Sequence, residues 1–245
     1  MVDTAIIVTS VGRTTFLQEC LLSVKKQDAA FRCELIVVDN SEKGIKKHVL
    51  SLLDKLSNLG NTKYYRYTQC QSASAARNAG LLFISPKVKY IKWLDEDDYF
   101  LEISSLSKLL EALSLEEVGF AYGGVVVVDN LGTIIGYKSE EWNANRVLQE
   151  VDFPSSGSIF KLKFLSQIGF FSYLPHLLGK EDIDLILRAM LHLKVSGWRS
   201  KRISEIVTAY RRSQNSLSFR NDETGRSGMS NKLFKAIYAG VFGMS

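Results

Sequence analysis

Apolar positions along this chain follow two alternating rhythms, short unbroken runs and helical stripes. Residues 5–9 (AIIVT) are an apolar strand run, after which Phe16, Cys20, Leu21 and Val24 recur at helical spacing. Leu35, Ile36, Val37 and Val38 form a second strand that ends at Asp39, Asn40 and Ser41. Residues 45–56 read as a helix, 63–67 as a third strand, and 73–84 as a helix with Ser72 or Ser74 as its N-cap. Residues 89–94 form a fourth strand. Strand, helix, strand, helix at this spacing predicts an α/β fold, a Rossmann-like, mostly parallel central sheet with helices on both faces.

The texture changes after Leu113. Residues 120–128 predict a long strand, with a turn at 129–132 leading into Ile134 and Ile135. Residues 154–158 (PSSGS) read as a flexible loop. Residues 164–168 and 181–193 read as helices, the second with Ile183, Ile186, Leu187 and Met190 on one face. No repeat, low-complexity stretch or linker interrupts the chain. One domain over residues 1–218 is expected, with a nucleotide-binding half to Asp98 and an acceptor-facing half from 99 onward, followed by a basic, amphipathic tail at 219–245. In that tail Leu233, Phe234, Ile237, Tyr238, Val241 and Phe242 accompany Lys232 and Lys235. Such a stripe is what a helix docked on its own domain or on a partner subunit carries. An interfacial membrane helix has the same pattern.

Composition narrows the setting. The 245 residues are 46% hydrophobic and 23% charged, as in an ordinary soluble protein. No apolar run reaches the ~18 residues of a membrane span, and Met1, Val2 and Asp3 lead into a strand rather than a signal peptide. Cys20, Cys33 and Cys70 lack CxxC spacing and read as buried thiols in a reducing, cytoplasmic compartment. His48, His176 and His192 are scattered, which argues against a zinc site. From residue 188 onward 11 Lys and Arg face 3 Asp and Glu, leaving 20 against 23 before it. A basic tail suits an anionic ligand or an anionic membrane surface. No helix-turn-helix, RNP-like aromatic pattern or zinc finger supports a nucleic-acid partner.

Candidate chemistry centres on Asp95, Glu96, Asp97 and Asp98, directly after the fourth strand. Open α/β sheets bind ligands at that strand end. Adjacent carboxylates repel unless a cation joins them, and Mg²⁺ or Mn²⁺ prefers such oxygens. A charge run by itself is also what a solvated acidic turn looks like. Asp39, after the second strand, comes to the same sheet edge. Glu181 and Asp182 open a later helix, where first-turn carboxylates commonly complement the dipole. No GxGxxG or GxxxxGK[ST] is present, so phosphate charge would fall to a metal with Arg13, Arg77, Arg211 and Arg212.

The segments AIIVTSVGR, LIVVDNS, SASAARNAG, YIKWLDEDD, SSGSIF with IGFF, and GKEDIDLILRA, in this order over residues 5–218, resemble family 2 glycosyltransferases of the A-type fold. The resemblance implies a nucleotide-sugar site of Thr9, Ser10, Arg13, Asp39, Arg77, Asp95, Glu96, Arg211 and Arg212. Asp39 would meet the base or ribose, Arg77 would lie by the nucleotide, and residues 210–218 would close over the diphosphate. Asp97 would hold Mn²⁺ or Mg²⁺ bridging the diphosphate, with Asp95 facing the ribose or the metal shell. Asp182 would be the catalytic base and Glu181 its helper near the acceptor. The chain departs from the family pattern at Thr9-Ser10-Val11-Gly12, which lacks a proline, at Gln69-Cys70-Gln71, and at Asn40. These positions touch the nucleotide pocket and leave the base open.

The implied reaction is inverting transfer of a sugar from a nucleoside-diphosphate donor to a hydroxyl of a carbohydrate or lipid-linked carbohydrate, in surface-polysaccharide or glycan assembly. Retention would want a second carboxylate under the sugar, and Asp184, two positions from Asp182, points elsewhere on a helix. Peripheral association with the inner membrane face and a homodimer contact are open roles for the tail. A metal-dependent nucleotidyltransferase or phosphoesterase, and a non-catalytic carbohydrate- or membrane-binding relative, are the alternatives.

Overall fold

The computed structural model describes residues 2–42, 44–45, 47–56, 61–68, 72–139, 141–150, 155–174, 177, 179–212 and 231–242. The four predicted strands are present as β1 (Thr4–Ser10), β2 (Cys33–Asp39), β3 (Asn61–Arg66) and β4 (Tyr90–Asp95). They pair in parallel in the order β3-β2-β1-β4. Their unbroken apolar runs follow from burial on both faces. Ala5, Ile7, Ile36, Val38, Ile91 and Trp93 feed one core. Ile6, Val8, Leu35, Val37 and Leu94 feed the other.

Helices α1 (Thr14–Lys25) and α2 (Lys47–Leu56) cover the second core, and α3 (Ala73–Leu81) the first. Ser72 caps α3, its Oγ accepting the Ala75 N–H at 3.2 Å. Gly80 lets α3 approach β1, since a Cβ there would stand 2.4 Å from Ile7 Cγ2.

Past β4 the sheet continues through β5 (Tyr99–Phe100), β6 (Val118–Val128), β7 (Ile134–Lys138), β8 (Ser158–Lys161) and β9 (Arg199–Arg211). The order there is β8-β6-β9-β5, with β7 also on β6. β8 runs antiparallel to β4 and β6, β9 parallel to β6, and β5 antiparallel to β9. Helix α4 (Ser105–Ala112) packs on the second core, and α5 (Ala144–Glu150), α6 (Leu162–Ile168) and α7 (Glu181–Val195) on the first.

The structure corrects several expectations. Ser155–Gly157 is a 3-10 turn with Ser156 and Gly157 buried, and Ser158 begins β8, so the described part of the expected flexible loop is packed. Elements α4, α5, β5 and β9 escape the sequence pattern. β9 does so because its first half is exposed and charge-rich, and only Val207, Thr208, Ala209 and Arg211 are buried. The tail contributes α8 (Asn231–Phe242), which docks on its own domain. Phe234 and Phe242 join the first core, Tyr238 Oη donates to the Asp184 carboxylate, and Lys235 Nζ donates to Gln149 O at 2.5 Å. No described helix is long and apolar enough to cross a membrane. Cys20 and Cys33 are buried free thiols, as expected, while Cys70 lies outside the described residues.

Candidate active site

Parallel pairing fixes which side chains share the sheet edge. Ser10 stands beside Asp39 and Thr9 beside Asp95 in the strand register, so β1, β2 and β4 deliver their polar ends together. Asp95 is the outward member. Thr9 Oγ1 donates to its Oδ1 at 3.0 Å, and Arg77 Nη2 bonds both oxygens at 3.0 and 2.8 Å. Burial opposes its charge, but Arg77 and Thr9 prevail and hold the carboxyl below the usual range.

Glu96 turns inward, contrary to its expected place at the donor. Its carboxylate accepts Ser10 Oγ (2.6 Å), the Gly12 and Arg13 amides (3.2 and 3.1 Å) and Arg13 Nε (2.7 Å). Both Glu96 and Ser10 are at most 1% exposed. They shape the β1–α1 turn, and Gly12, at φ +94°, supplies the left-handed conformation that the turn requires. Arg13 spans two carboxylates, reaching Asp97 Oδ2 with Nη1 at 2.6 Å. Burial raises the Asp97 carboxyl to about 6, with Arg13 pulling the other way. Burial also lifts Asp98 well above the carboxylate range, and its Oδ1 accepts the Arg211 amide at 3.0 Å.

Two further expected site residues are buried and bonded within the fold. Arg211 is buried and fully engaged, with Nε on Asp97 O (3.3 Å), Nη1 on Asp129 O (2.8 Å), Nη2 on Glu19 Oε2 (2.5 Å), and Phe16 stacked 4.5 Å away. It ties β9 to the acidic bend. Asp39 is fully buried and accepts the Ser41 and Ile45 amides (2.9 and 3.1 Å) and Tyr64 Oη (2.6 Å). It organises the loop after β2. Arg212 is exposed, its amide bonded to Val128 O at 2.8 Å. Residues 213–218 of the expected closing loop lie outside the described residues.

Arg77 links the acidic bend to α7. It is buried, stacks on Phe171 at 4.9 Å, and is stabilised as a cation, against the burial that opposes it, by Asp95, Asp182 and Glu181. Asn78 fixes the approach to α7 by exchanging hydrogen bonds with the Phe171 backbone at 2.8 and 3.2 Å. At the start of α7 the Ile183 amide donates to Asp182 Oδ1 at 2.9 Å. Glu181 is 6% exposed, and its Oε2 has no hydrogen-bond partner among the described residues. A buried carboxylate oxygen without a donor is costly unless a ligand completes it. Asp184 is buried and held by Arg188 (2.7 Å) and Tyr238, away from this cluster.

Sequence reasoning missed Asn78, Phe171 and Glu19 as organisers of the site. Asn78 adjoins Arg77 in the ARN segment, but nothing in the sequence pairs Phe171 or Glu19 with their distant partners.

A metal would find half a site at the acidic bend. Among the described residues no three His, Cys, Asp or Glu side chains converge on one point. Asp95 and Asp97 each already hold an arginine. Mg²⁺ and Mn²⁺ commonly take one or two carboxylates and complete their shell with substrate phosphates and water. The donor set therefore fits an ion that arrives with a diphosphate.

The glycosyl transferase family 2 sequence profile matches residues 5–172. No curated protein sequence matches the chain. Among solved structures, residues 1–349 of TarS from S. aureus superpose with a TM-score of 0.65 at 18% identity, covering 85% of this chain and 60% of that one. The same TarS segment in complex with UDP-GlcNAc matches at 17% identity, TM-score 0.65, over 88% of this chain and 60% of that one. The mannosyltransferase PcManGT from Pyrobaculum calidifontis, in complex with GDP-Man and Mn²⁺, matches at 16% identity, TM-score 0.61, over 96% of this chain and 68% of that one. This chain thus spans about 60% of the TarS segment. The superpositions establish the A-type glycosyltransferase fold expected from the sequence. With a profile running from β1 past the acidic bend to the threshold of α7, and a sheet whose order agrees, the chain belongs to glycosyltransferase family 2.

Proposed function

We propose that this protein transfers a sugar from a nucleoside-diphosphate donor to a hydroxyl acceptor in one displacement that inverts the anomeric centre. The observation that carries this reading is Arg77, whose Nη2 bonds both oxygens of Asp95 at the sheet edge at 3.0 and 2.8 Å and whose charge is further favoured by Glu181 and Asp182 at the start of α7. One cation couples the end of the site suited to a diphosphate with the end suited to a base. The TarS segment in complex with UDP-GlcNAc and PcManGT in complex with GDP-Man support a nucleotide-sugar donor.

The attacking hydroxyl needs a partner for its proton as the new bond forms. Asp182 takes that proton, with one oxygen oriented by the Ile183 amide. Glu181, with its unmatched buried oxygen, holds the acceptor hydroxyl group in line. Asp184 is committed to Arg188 and Tyr238, which disfavours it as the nucleophile of a double displacement. Arg77 and Asp95 orient the donor. Asp97 is the carboxylate that would hold Mn²⁺ or Mg²⁺ together with donor phosphate oxygens, and such an ion supplies Lewis-acid neutralisation of the leaving diphosphate. PcManGT in complex with GDP-Man and Mn²⁺ supports that choice of ion.

The acceptor class we propose is a carbohydrate or lipid-linked carbohydrate at the cytoplasmic membrane face, in surface-polysaccharide assembly. The excess of 11 basic over 3 acidic residues from position 188 supports an anionic surface nearby. The test is a panel of nucleotide sugars with Mn²⁺, read by release of an intact nucleoside diphosphate. Asp182→Asn should cut transfer by at least a hundredfold while leaving donor affinity within about threefold. Release of inorganic phosphate or pyrophosphate instead would assign the site to phosphoesterase or nucleotidyl chemistry.

A further inference from the structure

We propose that Arg13 is a resident counter-cation that competes with a divalent ion for Asp97, so that the ion is taken up only in company with the donor diphosphate. This rests on the reading above, in which Asp97 faces the diphosphate.

The geometry separates the fixed part of Arg13 from its reaching part. Its amide and Nε are both bonded to the Glu96 carboxylate, at 3.1 and 2.7 Å, and Glu96 is 1% exposed. Only Nη1 reaches Asp97, at 2.6 Å, and the Arg13 side chain is 33% exposed. Asp97 is buried, and a buried carboxylate left without a cation is strongly destabilising. Arg13 supplies that cation in the free protein.

Arginine keeps its charge at any ordinary pH, so it cannot yield by losing a proton. A divalent ion on Asp97 would meet a guanidinium already on the same carboxylate, and like charges at one anion oppose each other. With no third His, Cys, Asp or Glu converging nearby among the described residues, the protein alone has little to offset that repulsion. A diphosphate does, since it brings further anionic oxygens for both cations. Nη1 can then turn from Asp97 to a phosphate oxygen while Nε stays on Glu96. Metal and nucleotide thus strengthen each other's binding, and such coupling is reciprocal.

The experiment measures Mn²⁺ binding to the full-length protein by the electron paramagnetic resonance signal of free Mn²⁺, alone and with UDP or GDP. Wild-type protein should hold Mn²⁺ weakly by itself and about tenfold or more tightly with the nucleotide. Arg13→Gln should raise affinity for Mn²⁺ alone by about tenfold and shrink the gain from nucleotide. Adding Asp97→Asn to that variant should abolish the increase, which assigns it to this carboxylate. Arg13→Lys, a gentler change, should give a smaller rise of the same sign if the first variant folds poorly. Unchanged or lower Mn²⁺ affinity in both Arg13 variants, with the wild-type coupling intact, overturns the competition while leaving the donor reading standing. Wild-type protein that binds neither nucleotide nor Mn²⁺ in either order overturns both.

Discussion

Lys92 is the residue whose chemistry least resembles its surroundings. It lies in the middle of β4 with no exposure, its Nζ donating to Ser156 O and standing 5.6 Å from the Phe100 ring. Burial pulls its pKa down to about 7, although Asp98, Cys20 and Asp95 pull the other way. The sign of the consequence follows directly. The unfolded chain keeps this proton to about pH 10.4, whereas the folded protein releases it near 7, so the unfolded state binds more protons in between. Stability should rise with pH over that window, by roughly 2 kcal/mol between pH 7 and pH 9 from this group. Lys92→Met should remove that slope, seen as urea midpoints that no longer separate between the two pH values. A variant that keeps the wild-type slope would show that another group carries it.

Charge matching of three neighbouring carboxylates, with burial disfavouring charge on the fourth, explains why four adjacent acids are tolerated. Asp95 is matched by Arg77, and Glu96 and Asp97 by Arg13, while burial lifts Asp98 well above the carboxylate range and its Oδ1 accepts the Arg211 amide. The sequence displays the acids as one run, yet the fold sends them in different directions. Asp95 stays partly open, while Glu96, Asp97 and Asp98 are buried.

At the level of elements, α3 and β1 are set at contact distance by Gly80. Because a Cβ there would meet Ile7 Cγ2 at 2.4 Å, Gly80→Ala must push the helix off the strand or force Ile7 from its rotamer. Overpacking of this kind costs about 1–3 kcal/mol. Arg77 is three residues earlier on the same helix, so donor affinity should fall together with the melting temperature. Lost stability with unaltered donor binding would mean that α3 can shift without carrying Arg77 along. The remaining elements divide by how they announce themselves. Strands buried on both faces are unbroken apolar runs, and β1, β2 and β4 were legible to within one or two residues. β9 was not, because a half-exposed strand such as RSKRISEIVTAYR carries alternating charges that resemble a loop.

Across the whole molecule, the tail proves to be part of the core. Phe234 has no exposure and stacks obliquely on Tyr238 at 4.8 Å, and Tyr238 in turn bonds Asp184 on α7. A chain of contacts therefore runs from α8 to the helix that opens with Glu181 and Asp182. Phe234→Ala should cost about 3–5 kcal/mol, measured by chemical denaturation. A loss under 1 kcal/mol would show that α8 docks only loosely. On the outer side of α8, Leu233, Ile237 and Val241 are about half exposed, a stripe distinct from the docked one.

The sequence by itself determined the parallel half of the sheet, the helices that cover it, the acidic bend at a strand end, and the family. Those features are local, since an apolar period or a run of like charges is written in consecutive residues. Only the tertiary structure decided what each polar group does. Glu96 and Arg211, expected among the ligand contacts, are bonded within the fold, because their partners, Ser10 with the β1–α1 amides and Glu19 with Asp129, come from distant segments. Asp39, expected near a base, holds its own loop through Tyr64 and two amides. A carboxylate's role depends on which donors reach it first, and that is settled when strands and loops pack.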